Sequence, residues 1–568
     1  MYTLGINAAF HDSAACLVKD GQLIAAAEEE RFTQVKHGKR PIPFSTYELP
    51  FHAIFYCLET ADIHINDIDF FSYSFGPYQL LEQAAPISLP LTMSSDKGSP
   101  QSWDALFLTY ILNARFHLED GYPHHLQQRF KGARIRENQW RFTDHHLAHA
   151  ASAFLPSPFE EAAILVADGR GEQATTSYSI GKGSGIQRIG QVNLPHSLGL
   201  LYEKITMHLG FQHSSDEYRV MALASYGEPT WAEGLRHIIQ VGEEGQYAIA
   251  FDELEKLLGE PRQAGSPFTD VHFNIARSLQ VVLQEKMLEL CNWLQKTSRQ
   301  KNLCLAGGVA LNCVLNAYIR DAGIFENIWV QPAAGDAGTA LGAALWTDAQ
   351  ELDLPRSFEM THAYWGPDYS DETIETFLKE NKIPYRRLTD IAKETAAILA
   401  QNRIIGWFQG RMEFGPRALG SRSILASPID PGMQAKLNVL KDREDFRPVA
   451  PVVLEDKARE WFEAAHISPF MLFTFKVKED QKEKIPAVCH VDGTARIQTV
   501  NRQQHALYHD VLYAFHEQTG IPILINTSFN SRGKPIVCTP RDAIECFWST
   551  PFDDLIIGSF HISKQYKQ

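Results

Sequence analysis

His145 and His149 stand four residues apart in Asp144-His145-His146-Leu147-Ala148-His149-Ala150, a stretch of helical composition. Four residues make one helical turn, so both imidazoles face the same way and can share one metal ion. Shortly afterwards Ile164-Leu165-Val166-Ala167 runs as an apolar strand into Asp168-Gly169-Arg170-Gly171-Glu172. A carboxylate at a strand end, followed by a glycine-rich turn, can complete a metal site or a nucleotide-phosphate site. A third acid, Asp336, opens a helix behind a strand at residues 327–330. Taken alone, a histidine pair at this spacing is more often incidental, a polar helix face beside an ordinary strand and turn.

A second set of residues suits anions. A strand at 404–408 leads into Gln409-Gly410-Arg411-Met412-Glu413-Phe414-Gly415-Pro416-Arg417-Ala418-Leu419-Gly420-Ser421-Arg422. Guanidinium forks match phosphate oxygens, so Arg411, Arg417 and Arg422 on a glycine loop suit a phosphorylated small molecule. Lys441, Arg443, Arg447 and Arg496 add positive charge, and a strand at 521–525 ends in the polar turn Asn526-Thr527-Ser528-Phe529-Asn530. Surface arginines usually solvate a face; these border glycine turns after apolar strands, the pattern of a shared anion site.

The elements that position these groups follow from periodicity. Strands are expected at 3–7, 14–19 and 22–28, joined by a small, polar turn (8–13, containing His11 and Asp12) and an Asp20-Gly21 hairpin. The charge run 28–31 reads as a solvated helix start, and Lys36-His37-Gly38-Lys39-Arg40 as an exposed basic loop. A helix at 46–61 and a strand at 67–74 complete a strand–helix–strand unit. Residues 80–140 read as helices around a Ser- and Pro-rich loop at 90–102. Strands at 164–168, 174–180 and 186–192 then repeat the opening meander without close sequence identity. Two such units are the layout of the duplicated actin-like ATPase fold, with nucleotide in the cleft between halves. A long amphipathic helix spans 273–296. After it, Leu303-Cys304-Leu305-Ala306-Gly307-Gly308-Val309-Ala310-Leu311-Asn312 reads as strand, glycine turn and helix start, a cradle for ribose or phosphate. Residues 350–370 break the pattern and join two α/β domains.

With 568 residues the chain exceeds one core. Hydrophobic residues at 44% and charged residues at 21% describe an ordinary globular protein. The net charge of −15 argues against nucleic acid or anionic membrane as the main partner. The N-terminus lacks a basic stretch followed by an apolar core, no apolar run reaches membrane-spanning length, and the eight cysteines form no CxxC pair. A cytoplasmic protein with buried thiols is expected.

HHLAHA, ADGRGE, AGGVALN, GPRALGSRS and NTSFN, in this order along nearly the whole chain, resemble the ATP-dependent O-carbamoyltransferases that act on tobramycin, cephalosporin precursors, ansamycins and Nod factors. The resemblance implies an α/β fold: a duplicated actin-like domain at 1–355 that binds metal and carbamoyladenylate, fused to a YrdC-like domain at 356–568 that binds carbamoyl phosphate and ATP. Lys441-Asp442-Arg443 and Ser528-Phe529-Asn530 match the second module's Lys-x-Arg and Ser-x-Asn pattern. Carbamoyl phosphate and ATP, with Mg2+, would give carbamoyladenylate, and the carbamoyl group would pass to a hydroxyl of a specialised metabolite. The resemblance further places iron(II), or another divalent metal, on His145, His149, Asp168 and Asp336, with His11 as the base beside the acceptor. Lys36 would contact the adenylate, and Gly307, Gly308 and Asn312 its nucleoside. Arg417, Lys441, Arg443, Arg447, Arg496 and Ser528, with Asn530, would hold the phosphates. The Gly169-Arg170-Gly171 turn adds a further phosphate contact at Arg170. The acceptor turn, Ala8-Ala9-Phe10 before His11, is shorter and less polar than in the tobramycin enzyme, which speaks against an aminoglycoside.

Carbamate hydrolyses easily, so activation as an adenylate and transfer within one chain both help. A histidine near neutral pKa can take the hydroxyl proton. Two other classes stay open at this point: an actin-like ATPase or small-molecule kinase, which leaves ADP, and a tRNA threonylcarbamoyladenosine-type modification protein. A homodimer is also open, and the sequence does not name the acceptor.

Overall fold

The computed structural model describes residues 1–38, 49–77, 122–352 and 356–564. The chain opens with the expected meander: Tyr2–Asn7 pairs antiparallel with Ala14–Lys19, which pairs with Gln22–Glu28. Phe70–Tyr73 and Trp140–Phe142 then add in parallel beside the first strand. Glu161–Ala167, Ala174–Lys182 and Gly185–Asn193 repeat the meander, and Asn302–Ala306 and Asn327–Val330 repeat the parallel addition. Both five-stranded sheets therefore run three-two-one-four-five in order of appearance. This is the duplicated actin-like layout. Strands covered on both faces read as unbroken apolar runs, and residues 162–167 are buried throughout.

The helix Ala337–Leu352 lies on the first sheet and along the histidine helix His145–Phe154. Two glycines permit this approach. A Cβ on Gly5 would stand 2.0 Å from the Ala340 carbonyl oxygen, and one on Gly342 would stand 1.8 Å from that of Ala148. Sheet, histidines and Asp336 are thereby held in one packed unit. The long helix runs over Asp270–Ser298, a few residues beyond the sequence expectation at each end: Thr269 and His272 form a capping box at its start, and Arg299 ends it in the left-handed region.

A third, mixed sheet has eight strands: Arg386–Arg387, Phe560–Ser563, Asp554–Ile557, Ile405–Phe408, Arg422–Ala426, Ile523–Ser528, Ala450–Leu454 and Gln498–Val500, in spatial order. One apolar cluster runs from Leu303 and Leu305 in the second sheet to Trp407, Ile424 and Leu425 in the third. The expected boundary at 355/356 touches residues 353–355, which lie outside the described residues, as does most of the expected 80–140 region including the 90–102 loop. Among the described residues no helix is long and apolar enough to cross a membrane.

The charge run 28–31 is not a solvated helix start. Glu28, Glu29 and Arg31 are buried. Arg31 pairs with Glu28 at 2.9 Å and donates to the Gly415 carbonyl at 2.8 Å, while the Gly415 amide donates to Glu28 at 2.9 Å. Opposite charges so close in sequence satisfied each other across a contact with residues nearly four hundred positions away.

Candidate active site

The histidine helix starts at a capped turn. Asp144 accepts from the Leu147 amide at 2.8 Å, and the Glu172 carboxylate accepts from the His145 amide at 3.0 and 3.2 Å. His145 Nδ1 faces the Ser74 carbonyl at 3.3 Å, which favours a proton there and leaves Nε2 as a lone-pair donor. Its Nε2 lies 3.7 Å from Asp168 Oδ2 and 3.6 Å from Asp336 Oδ1, and His149 Nε2 lies 3.6 Å from the same Asp336 oxygen. Asp168 is turned by a 2.8 Å bond from the Gly308 amide to its other oxygen.

All four side chains are buried, and their donor atoms lie within 4.8 Å of one another. His145 Nε2, both His149 nitrogens and both Asp336 oxygens have no hydrogen-bond partner. Buried polar atoms are rarely left so. Separations of 3.6–3.7 Å are too long for hydrogen bonds and suit donors gathered around one ion, with bonds of about 2.0–2.2 Å. Two imidazoles and two carboxylates fit a divalent first-row cation.

His11 borders this quartet. Its Nδ1 lies 3.0 Å from Asp12 Oδ2 and 3.9 Å from Asp336 Oδ2, and Asp12 Oδ1 meets His37 Nδ1 at 2.7 Å. Asn7 holds the turn by donating to the carbonyls of His11 at 2.9 Å and Asp12 at 3.0 Å. Burial pulls the His11 imidazole down, but Asp336 and then Asp12 outweigh it and hold it up at about 10. The near-neutral value expected from sequence therefore does not hold while Asp336 keeps its full charge. A cation on Asp336 removes the main cause of the rise. The cleft in front of His11 is lined by Phe10, Arg170, Glu203, Ser214 and Asp336.

A second cluster gathers cations from both halves. Lys36 Nζ donates to Ser215 Oγ at 2.7 Å and lies 5.9 Å from the centre of the Tyr218 ring. Arg447 stands over the same ring at 4.8 Å, and Arg219 pairs with Glu444 at 3.0 Å. Lys441 Nζ donates to the Ser528 carbonyl at 2.5 Å, Ser528 Oγ at 3.0 Å and Asn530 Oδ1 at 2.7 Å. Burial, then Arg443 and Arg447, push its ammonium well below the ordinary lysine value. Burial and Arg496 push Arg417 down to about 9, and burial and Arg447 do the same to Arg443. Nitrogens of Arg417, Arg443 and Arg496 stay buried without a hydrogen-bond partner. Burial is the larger cause and repulsion between the cations the second, and a bound anion would offset both.

The two clusters meet along residues 213–219. Ser214 lines the cleft before His11, Ser215 holds Lys36, and Tyr218 and Arg219 join the cations. Gly307 takes a left-handed φ of 88°, where a Cβ would stand 2.2 Å from the Ala167 carbonyl oxygen. Asn312 caps the helix Cys313–Asp321 and pairs with Gln280 at 2.8 Å, so its amide is engaged within the fold. Arg170 pairs with Glu203 at 3.3 Å, and the Gly169 carbonyl accepts from Ser197.

Arg411 and Arg422 do not join the anion cluster. Arg422 is fully buried and donates to the carbonyls of Gln409, Gly410 and Pro367, each at 2.9 Å. Arg411 donates to the carbonyls of Trp365 at 2.7 Å and Ile24 at 3.1 Å. Arg422 satisfies carbonyls of the glycine loop itself, while Arg411 ties that loop to the carbonyls of Trp365 and Ile24. Sequence reasoning also passed over Tyr218 and Arg219, which lie in a helix without a glycine turn, and the role of Glu172 as an anchor.

Residues 2–345 match the family description "Carbamoyltransferase N-terminus" and residues 396–564 match "Carbamoyltransferase C-terminus". The chain belongs to the carbamoyltransferase family. The enzyme is 40% identical to an uncharacterized protein of Synechocystis sp., across 99% of this chain and 97% of that one. It is 40% identical to nodulation protein NolNO of Sinorhizobium fredii, across 98% of this chain and 80% of that protein. Full-length HypF, in a phosphate- and nucleotide-bound form, is 14% identical over 62% of this chain and 56% of its own, with a TM-score of 0.34.

The buried quartet of this carbamoyltransferase yields a direct expectation. His149→Ala removes one donor and leaves Asp336 Oδ1 facing His145 alone, so metal content after dialysis should fall well below that of the parent enzyme. Elemental analysis of the two proteins checks this, and equal content would remove His149 from the centre.

Proposed function

We propose that this carbamoyltransferase works in two steps at the two clusters. In the first, carbamoyl phosphate and water give carbamate and phosphate. A carbamate oxygen then attacks the α-phosphorus of ATP, and pyrophosphate leaves. Lys441, Arg443, Arg447, Arg417 and Arg496 hold the phosphates, with Lys36 reaching in from the first half, and Mg2+ accompanies ATP. The convergence of these cations, with Lys441, Arg443 and Arg417 pushed down by burial and by neighbouring cations, is the observation that carries the reading. Ser528 and Asn530 aim the Lys441 ammonium.

In the second step the oxygen of an acceptor alcohol attacks the carbamoyl carbon, and the bond to AMP breaks. His11 takes the hydroxyl proton, with Asp12 holding its Nδ1 so that Nε2 is left for the substrate. His145, His149, Asp168 and Asp336 would hold the metal, for which we propose iron(II). When bound, it polarises the adenylate oxygen and offsets developing negative charge. Gly308 orients Asp168, and the Gly307–Gly308 turn faces the nucleoside. The cleft before His11 sets Phe10 among the polar side chains of Arg170, Glu203 and Ser214, which supports a hydroxylated metabolite as acceptor. Eight unpaired cysteines suit a cytoplasmic setting.

The test is the nucleotide product. With ATP, carbamoyl phosphate and no acceptor, pyrophosphate should form only when carbamoyl phosphate is present, and AMP should follow. ADP as the product would sink the adenylate reading in favour of a kinase or ATPase.

A further inference from the structure

We infer that Tyr218 is a positioning residue of the anion site, its ring face carrying Lys36 of the first half and Arg447 of the second so that both can engage one bound phosphate chain. The inference deepens the two-step reading above and rests on its placing of the phosphates. Tyr218 lies near the start of the helix Glu217–Leu223, whose Val220 and Leu223 are buried on the core side. Arg447 lies 4.8 Å from its ring centre, Lys36 5.9 Å and Arg219 6.0 Å. Arg219 Nε also donates to the phenol oxygen at 3.4 Å.

An aromatic ring on a surface helix ordinarily packs on apolar side chains. Here its neighbours are cations, and they come from sequence positions more than two hundred residues apart. The negative face of the ring attracts a cation without neutralising it. A carboxylate in the same place would form ion pairs and compete with the phosphates. Glu444 shows the contrast: it pairs directly with Arg219 at 3.0 Å and approaches Arg447 at 3.7 Å. The ring itself takes no charge from Lys36 or Arg447. Burial works against ionisation of the phenol, yet Arg447, Arg219 and Lys36 outweigh it and hold its pKa below the ordinary tyrosine value, as expected of a ring set among cations.

Tyr218→Leu and Tyr218→Phe, each in the full-length metal-loaded enzyme, separate ring from phenol. Calorimetric titration with inorganic pyrophosphate is the first readout. Leucine should weaken binding by about tenfold to thirtyfold, while phenylalanine, which keeps the ring face, should stay within about threefold. In pyrophosphate release the leucine variant should raise KM for ATP far more than it lowers kcat, with metal content unchanged. A merely structural role would not give that split together with rescue by phenylalanine. Wild-type affinity in Tyr218→Leu, equal loss in both variants, or no pyrophosphate binding by the parent enzyme would each overturn the inference. If leucine prevents folding, the cycle of Tyr218→Phe, Arg447→Met and the double variant decides through Arg447. With the ring face kept, Arg447→Met should weaken pyrophosphate equally in the tyrosine and phenylalanine backgrounds, and a loss confined to the tyrosine background overturns the inference. If the parent enzyme binds pyrophosphate but forms none from ATP, the two-step reading fails, and the calorimetry still decides the role of Tyr218.

Discussion

Lys441→Met should slow carbamoyl-phosphate-dependent pyrophosphate release by about 10²–10³-fold, the usual effect of removing one preorganised electrostatic donor. Methionine keeps much of the length and volume of lysine but brings no charge and no donor. The Ser528 carbonyl, Ser528 Oγ and Asn530 Oδ1 now converge on Lys441 Nζ within 3.0 Å. Without it they lose their shared donor, although the 2.8 Å bond from Ser528 to Asn530 keeps the turn together. The expected stability loss is about 1–3 kcal/mol, enough to measure by denaturant unfolding but not to unfold the chain. Metal content should not change, because the hydrogen bonds of Lys441 go to Ser528 and Asn530 and not to the buried histidines and aspartates. The charge also predicts a pH effect. The ammonium is held well below its ordinary pKa by burial and by Arg443 and Arg447, so it loses its proton at lower pH than a free lysine. A bound anion favours the charged form. Pyrophosphate affinity should therefore fall as pH rises through that lowered value, with a proton taken up on binding, and Lys441→Met should lose this dependence. A methionine variant that releases pyrophosphate at the parent rate would remove Lys441 from the site.

The buried cluster of His145, His149, Asp168 and Asp336 is legible in the sequence where it depends on local geometry. One helical turn fixes the relation of His145 to His149, and a strand end fixes where Asp168 points. Asp336 is legible only as the opening of a helix, since its approach to the histidines depends on Gly5 and Gly342 letting that helix touch its neighbours. The anion cluster is harder. Arg411, Arg417 and Arg422 look alike in the glycine loop, yet Arg411 and Arg422 are taken up by several backbone carbonyls, while Arg417 has one long bond to the Leu311 carbonyl and keeps a buried nitrogen unpartnered beside Arg496. Which carbonyls each arginine meets, in its own loop or in a distant segment, follows from the folded path alone. Tyr218 and Arg219 were invisible for a related reason. Their helix has no turn signal, and their partners Arg447 and Glu444 come from the other half of the chain. The run 28–31 failed on the same count: Arg31 and Glu28 look solvated until the Gly415 loop closes over them.

His11→Asn should separate the two half-reactions. Asparagine tolerates the turn and can still hydrogen-bond to Asp12, so the fold around residues 7–13 should persist. Pyrophosphate release should stay near the parent rate, because no contact joins His11 to Lys441 or the arginines around it. Carbamoyl transfer to an acceptor should slow by about 10²–10⁴-fold, the range for one general base. Asp336 gives the prediction a second edge. Its charge is the leading cause of the high His11 value, so a bound cation, by offsetting that charge, frees the imidazole to accept a proton at neutral pH. Transfer in the parent enzyme should then depend on metal loading more steeply than adenylate formation does. In His11→Asn the residual transfer should lose the pH dependence that belongs to the imidazole. Pyrophosphate, AMP and carbamoylated product measured in one reaction distinguish the outcomes. Equal slowing of both steps would place His11 in the architecture shared by the two sites, and an unchanged transfer rate would move the base to another group facing the cleft, of which Glu203 lies among the lining residues.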